Sequence, residues 1–274
     1  MNNDIIKDQN LREDYEAFGY AKVPGINNEM LKASADLFHD FFKDDLENMF
    51  ISHFESSFEI NLKISNSLFE IYEPWLRNIF YDYKFVLSHF IVKSNLNSKE
   101  FTLHQDWSVV NEKEFPFIHL WIPFQDTDDK NGGMYVLPHS HKILGNLRSE
   151  SLGIPFIPVG SDLEPFIKKL KINKGVALLY SPALFHGSLA NISNSVRMTV
   201  LIAITHKNAP LHYYHKNNNG KLDVYSINSN DLLNDLKELA SGEPPRSFKI
   251  KADEQITGIA NSEFTSEQLL KFLK

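Results

Sequence analysis

His104 and Asp106 stand two residues apart in the run Thr102-Leu103-His104-Gln105-Asp106-Trp107, and both carry atoms that bind metals. Phe101, Thr102 and Leu103 are apolar or β-branched, which predicts a strand or strand end there. On a strand, residues two apart share a face. A rise of ~3.3 Å per residue sets their Cβ atoms about 6–7 Å apart, so both could reach one ion. A helix would turn the same pair apart. By itself an HxD arises by chance in many chains and reads equally as a surface strand end. His186, in His186-Gly187-Ser188, supplies the third group. Two imidazoles and one carboxylate on one side of a metal form a facial triad of the non-haem Fe(II) kind, which leaves positions for a co-substrate and O2. His104, Asp106 and His186 are therefore the predicted metal ligands and catalytic centre.

Arg197 leads the apolar run from Met198 to Ile204, a predicted strand, and so carries a cation towards the core. Burying it is costly unless it is paired. A dicarboxylate co-substrate is a suitable partner, because the guanidinium fork meets a carboxylate in a bidentate way. His139 and His141 form a second i, i+2 histidine pair and are the rival ligands. Pro138 before them predicts a turn instead.

The elements that must position these residues show two periods. Asp8 to Phe18 predicts a helix with Leu11, Tyr15 and Phe18 on one face and Gly19 as its stop. Tyr20 to Val23 predicts a short strand. Asn27 or Asn28 can cap a second helix with Met30, Leu31, Leu37, Phe38, Phe41 and Phe42 inward. Asp44 to Lys63 is ambiguous: its aromatics favour core packing over a substrate-side flap. Ser67 to Tyr83 predicts a helix kinked or restarted at Pro74. From Lys84 the pattern turns to strands, at 84–93, 101–107, 117–124, 133–137, 176–181 and 196–205. His89 in the first of these reads as a packing residue, and Lys93 as facing a carboxylate or as a solvated strand end. Gln105 and Trp107 are expected on the face opposite the ligands. Lys168, Lys169 and Lys171 read as the wet face of a helix. Asn217 to Gly220 is a turn between two strands. Asp231 to Ala240 predicts a helix. Thr265 to Gln268 is a capping box before a last helix with Leu269, Leu270 and Leu273 inward. Short strands at such spacing, with helices before them, predict a mainly β fold with flanking helices: a double-stranded β-helix, or cupin-like jelly roll. One domain over 1–274 is expected, with a helical part at 1–83, a jelly-roll core at about 84–226 and an accessory segment at about 227–274.

The HQD, the distant HGS and an arginine after it resemble the phytanoyl-CoA dioxygenase family of Fe(II)/2-oxoglutarate oxygenases. His119-Leu120-Trp121-Ile122-Pro123-Phe124, the acidic turn from Asp128 to Asn131, and Gly132 to Lys142 are similar to its central pattern, with His139 where that family commonly has Gly. Tyr15 to Gly25 resembles its opening. The resemblance runs from about Tyr15 to about Thr205. It implies Fe(II), 2-oxoglutarate as co-substrate and O2, with Arg197 gripping the far carboxylate of 2-oxoglutarate, Ser188 as a hydroxyl donor and Trp121 lining that site. It also implies hydroxylation of an unactivated C–H bond, with release of succinate and CO2. Asp106 argues against halogenation, which needs a small residue there. Two other classes stay open on the residues alone. One is a cupin-like metal enzyme or binding protein that uses no 2-oxoglutarate. The other is a catalytically silent jelly-roll module.

Composition narrows the partners. The chain of 274 residues is 42% hydrophobic and 12% aromatic, enough for a sizeable core. Its formal charge of −7 argues against nucleic acid or an anionic membrane as partner. It has no cysteine, hence no disulfide or thiolate site. The N-terminus is polar and nothing approaches a transmembrane span, so a cytoplasmic protein is expected. The expected partner is a small-molecule substrate, without the cation cluster that an acyl-CoA would want, on a monomer or homodimer.

Overall fold

Local signals set the first elements. Helix α1 (Gln9–Phe18) starts at Asp8, whose side chain accepts from the Leu11 amide, and stops at Gly19, left-handed at φ 82°. Strand β1 (Tyr20–Pro24) follows. Asn27 caps α2 (Asn28–Phe41), and the ambiguous stretch after it becomes β2 (Met49–Ile51) and α3 (Ser52–Glu55). Helix α4 (Phe58–Ile79) is capped by Ser57 and contains Pro74. It begins well before the predicted Ser67. Two of its inward residues there, Asn61 and Ser65, are polar and disguise the helical period. Asn61 donates to the His53 carbonyl at 2.9 Å, and Ser65 accepts from Ser88 twice, at its Oγ from the amide and at its carbonyl from the hydroxyl, both at 2.9 Å.

The strands then run β3 (Tyr83–Lys93), β4 (Phe101–His104), β5 (Phe117–Pro123), β6 (Met134–Val136), β7 (Lys168–Lys169), β8 (Val176–Tyr180), β9 (His186–Ser188), β10 (Arg197–His206), β11 (Leu211–Lys216) and β12 (Leu222–Ile227). Helices α5 (Ser229–Asn234) and α6 (Leu236–Ala240) close the series. The structure, a computed structural model, describes residues 4–43, 46, 48–95, 98–142, 147–153, 162–246, 269, 270 and 273. The capping box predicted at Thr265 to Gln268 lies outside them.

Six strands form one antiparallel sheet in the order β1-β8-β5-β10-β3-β2, and four form a second, β4-β9-β6-β7. β11 and β12 make a hairpin, turned at Asn217 to Gly220. Alternation splits the six-stranded sheet into two working faces. Phe90, Val92, Leu120, Ile122, Val200 and Ile202 pack with Leu31, Phe38, Leu68 and Tyr72 of α2 and α4. The opposite residues, Leu87, Trp121, Leu178 and Leu201, share a cluster with Met134 and Val136 of the four-stranded sheet. Each fully buried Leu or Ile contributes about 1.5–3 kcal/mol here. The two facing sheets are the jelly roll, with α2 and α4 on the outer face of the larger one.

Three expectations are corrected. Lys168 and Lys169 lie on the exposed edge strand β7, not on a helix: they pair with Val136 and Tyr135 of β6, and lysines suit such an edge. The helix expected over Asp231 to Ala240 breaks at Asp235, which ends α5 and precedes α6. Tyr83 belongs to β3 rather than to the helix before it. Near the C-terminus, Leu269 is fully buried among Leu103, Tyr135, Leu163 and Phe185. No helix among the described residues is long and apolar enough to cross a membrane.

Candidate active site

His104 ends β4 and His186 begins β9, and the two are register partners across that antiparallel pair. Directly opposite side chains lie close, and the two rings sit 4.3 Å apart between centroids. Gly187 lets the strands approach: a Cβ there would come within 2.5 Å of the Tyr135 ring. Asp106 lies past the end of β4, so the regular-strand argument for the HxD pair is corrected. Its backbone is held from both sides instead. The Asp106 amide donates to the Pro182 carbonyl at 2.9 Å, and its own carbonyl accepts from Arg148 Nε at 2.7 Å. Arg148 is itself buried and pairs with Glu112 at 2.6 Å. Off the strand, alternation no longer applies, and Gln105 and Trp107 line the same cavity as the ligands rather than facing away.

His104 Nδ1 donates to the Thr102 carbonyl and His186 Nδ1 to the Leu184 carbonyl, both at 2.9 Å. That orients each ring so that Nε2 is the atom offered to a metal. Each Nε2 lies 3.5 Å from an Asp106 carboxylate oxygen, a gap that one ion with bonds of about 2.0–2.2 Å can bridge. The donor atoms of His104, Asp106 and His186 all lie within 4.8 Å of one another. Two imidazoles and a carboxylate, with no thiolate, fit ferrous iron.

Two residues given no role at the site by the sequence complete this centre. His119 Nδ1 donates to Asp106 Oδ2 at 2.9 Å, and the Tyr180 hydroxyl donates to the same oxygen at 3.2 Å. Burial alone would favour a protonated Asp106, but His186, His104 and His119 hold its carboxyl well below the ordinary carboxylate range. Tyr180 is pushed far up by burial and then by Asp106, so it remains a donor. Burial pushes His186 down to about 4, which keeps it neutral and able to ligate.

Arg197 opens β10, fully buried. Its Nη1 donates to Thr199 Oγ1 at 3.0 Å, and its guanidinium lies 5.4 Å from the Trp121 ring centre. Nε is buried without a partner, and burial lowers the group to about 9. Opposite it on β3 is Lys93. The alternative of a solvated strand end is corrected, although Lys93 does close β3. Lys93 is buried and its Nζ donates to the carbonyls of Leu189 at 2.6 Å and of Ser188 and Lys99 at 3.0 Å. Gly132, at φ 80°, keeps this corner open: a Cβ there would stand 2.9 Å from Lys93 Cδ and 3.6 Å from Arg197 Nε. The result is a buried pair of cations with an open guanidinium edge, which suits a carboxylate.

All six predicted site residues, His104, Asp106, His186, Arg197, Ser188 and Trp121, line one cavity of about 390 Å³. Its remaining wall is mostly apolar. Met49, Ile51 and Phe54 of the ambiguous stretch stand on it, so that segment serves the cavity as well as the core. So do Leu232, Leu236 and Ala240 of α5 and α6. His89 lines it too, correcting its reading as packing alone. His139 and His141 are elsewhere. Their rings bond to the carbonyls of Ala17 and Glu16 at the end of α1. His139 adopts φ 71°, the conformation a glycine would take, so the turn is kept despite the change of residue. His206 and Tyr213 do not reach the cavity: His206 stacks on Phe115, and Tyr213 packs beside Trp107.

The jelly roll and its His–Asp–His cluster define a metal-dependent oxygenase class, and sequence comparison gives the family. The profile described as Phytanoyl-CoA dioxygenase (PhyH) matches residues 12–199, and the chain belongs to that family. It is an iron- and 2-oxoglutarate-dependent oxygenase. No curated protein sequence matches it. Among solved structures it is similar to the epimerase SnoN in complex with Fe3+, alpha ketoglutarate and nogalamycin RO. That match has 15% identity, covers 74% of this chain and 85% of that one, and has a TM-score of 0.53. HygX from Streptomyces hygroscopicus, with nickel, 2-oxoglutarate and hygromycin B bound, matches at 11% identity, 72% and 87% coverage and a TM-score of 0.50. EctD from S. alaskensis, in its apoform, matches at 18% identity, 76% and 80% coverage and a TM-score of 0.50. These likenesses are of fold.

Proposed function

We propose that the protein hydroxylates an unactivated C–H bond of a small-molecule metabolite, with His104, Asp106 and His186 holding the iron and Arg197 holding the far carboxylate of 2-oxoglutarate. The observation that carries this reading is Arg197 itself: a buried guanidinium without a carboxylate partner among the described residues, on the same cavity as the three ligands. When bound, iron with 2-oxoglutarate and O2 supplies the oxidising power. The chain's own residues do the rest. Thr102 and Leu184 fix the ligand tautomers, and His119 and Tyr180 orient Asp106. Ser188 offers a hydroxyl beside the co-substrate, and Trp121 packs on the guanidinium. The apolar wall excludes water, which strengthens the charge contacts inside. A carboxylate at Asp106, rather than a small residue, supports hydroxylation over halogenation.

We read residues 1–274 as one unit, with the segment after residue 227 closing the cavity through Leu232 and Leu236. A cytoplasmic site of action, as monomer or homodimer, fits a chain without cysteine that needs ferrous iron. The test is iron-dependent release of succinate from 2-oxoglutarate, screened for substrates that stimulate it. Stimulated release that disappears in both His104→Ala and Asp106→Ala supports the reading. Release unaffected by both substitutions would overturn it.

A further inference from the structure

His53 of α3 and His89 of β3 have no part in the chemistry assigned above. Their relative exposures are 9% and 7%, and both line the cavity. Their rings meet at 4.0 Å between centroids, tilted by 62°. Nδ1 of each is buried with no hydrogen-bond partner among the described residues. Around them the wall is apolar, made by Ile51, Phe54, Leu87 and Ile91. Two polar rings side by side in such a wall are costly unless something bonds to them. Burial pushes His53 down to about 3 and His89 well below its ordinary value, so both are neutral. A neutral imidazole offers one donor and one acceptor, which suits a hydroxyl or carbonyl and gives no ion pair to an acid.

Register sets where this pair stands. His89 is opposite Leu201 of β10, and Leu201 is opposite Trp121 of β5. His119, bonded to Asp106, is also on β5, opposite Ala203. The strands bearing His89 and His119 are therefore separated by β10, two strand spacings or roughly 10 Å. Among the described wall residues Arg197 is the one lysine or arginine, and the co-substrate takes it.

We propose that the His53–His89 pair docks the uncharged oxygen function, a hydroxyl or carbonyl, of an otherwise apolar substrate, whose oxidised carbon lies at the other end of the molecule. This rests on the assignment of the iron and 2-oxoglutarate sites above. Free acids and phosphates find no further cation on this wall, whereas an amine would find the carboxylate of Glu150.

Trp107 and Trp121 line the cavity, so their fluorescence reports filling of it. The probes are 1-adamantanol, 2-adamantanone and 1-adamantanecarboxylate, titrated into the anaerobic protein loaded with iron and 2-oxoglutarate. The alcohol and ketone are expected to bind about tenfold more tightly than the acid. His53→Leu and His89→Leu are each expected to weaken the alcohol about fivefold to tenfold, the size of one hydrogen bond. His89→Gln, which keeps a donor and an acceptor, recovers most of that loss, and 2-oxoglutarate affinity stays unchanged in all three. Equal binding of the three probes, absence of alcohol binding, or alcohol affinity untouched in both leucine variants overturns the proposal. If 2-oxoglutarate still binds in those cases, only the histidine pair has failed. If the wild type does not bind 2-oxoglutarate, the oxygenase site falls and this proposal with it.

Discussion

Lys93 and Arg197 face each other across β3 and β10, both fully buried, and among the described residues no carboxylate pairs with either. Two cations so placed repel each other in a medium that screens poorly. The fold holds them there with neutral partners: three carbonyls for Lys93, Thr199 and the Trp121 ring for Arg197. Such an arrangement lowers stability in favour of binding an anion.

A stability consequence follows from the unpaired charge. Arg197→Met removes a buried cation and keeps most of its volume. It is expected to stabilise the protein free of 2-oxoglutarate by about 1–4 kcal/mol, and to abolish the stabilisation that 2-oxoglutarate gives the wild type. Thermal unfolding with and without co-substrate measures both. A variant less stable in both states would mean that the arginine is structural.

A pH consequence follows from Lys93, which burial and then Arg197 push down to about 7. Folding lowers this group below its ordinary value of 10.5, so the unfolded chain binds its proton more tightly. Through this lysine alone, stability of the free protein rises with pH between about 7 and 10.5. A dicarboxylate arriving beside it favours the charged form. Binding of 2-oxoglutarate near pH 7 is thus expected to take up protons and to weaken as pH rises through about 7. Calorimetry in buffers of different ionisation enthalpy gives the proton count. Lys93→Met is expected to remove that uptake, and an unchanged count would remove Lys93 from the co-substrate site.

What could be read in advance was what carries a pattern. His104 and Asp106 by spacing, and His186 and Arg197 by the strands around them, are placed on one cavity. The start of α4 was illegible because Asn61 and Ser65 face inward for hydrogen bonds rather than apolar contact. His119 and Tyr180 carried no legible role, since that role depends on which strands become neighbours. A weak signal existed for His119. It alternates with Phe117 and Trp121 on the inward face of an apolar strand, a position where a histidine needs a partner. Arg148 gave none, because Glu112 and the Asp106 carbonyl are brought to it only by the fold. His139 shows the converse: a residue that departs from an expected glycine while the backbone keeps the glycine conformation.

His119 supports the metal through Asp106, so its loss should weaken iron without removing a ligand. His119→Ala is expected to reduce Fe(II) affinity about 10–100-fold, read by competition with a chelator. His119→Asn, which can still donate to Asp106 Oδ2, is expected to lose less. Iron affinity equal to wild type in the alanine variant would show that the 2.9 Å contact does not orient the ligand.

The most direct test of the whole account is anaerobic calorimetry of 2-oxoglutarate binding to the Fe(II)-loaded protein and to two variants. One iron and one 2-oxoglutarate are expected per wild-type chain. Arg197→Ala should keep the iron and lose about 2–5 kcal/mol of 2-oxoglutarate affinity, whereas His104→Ala should lose the iron. Wild-type 2-oxoglutarate affinity in Arg197→Ala, or full iron retention in His104→Ala, would contradict it.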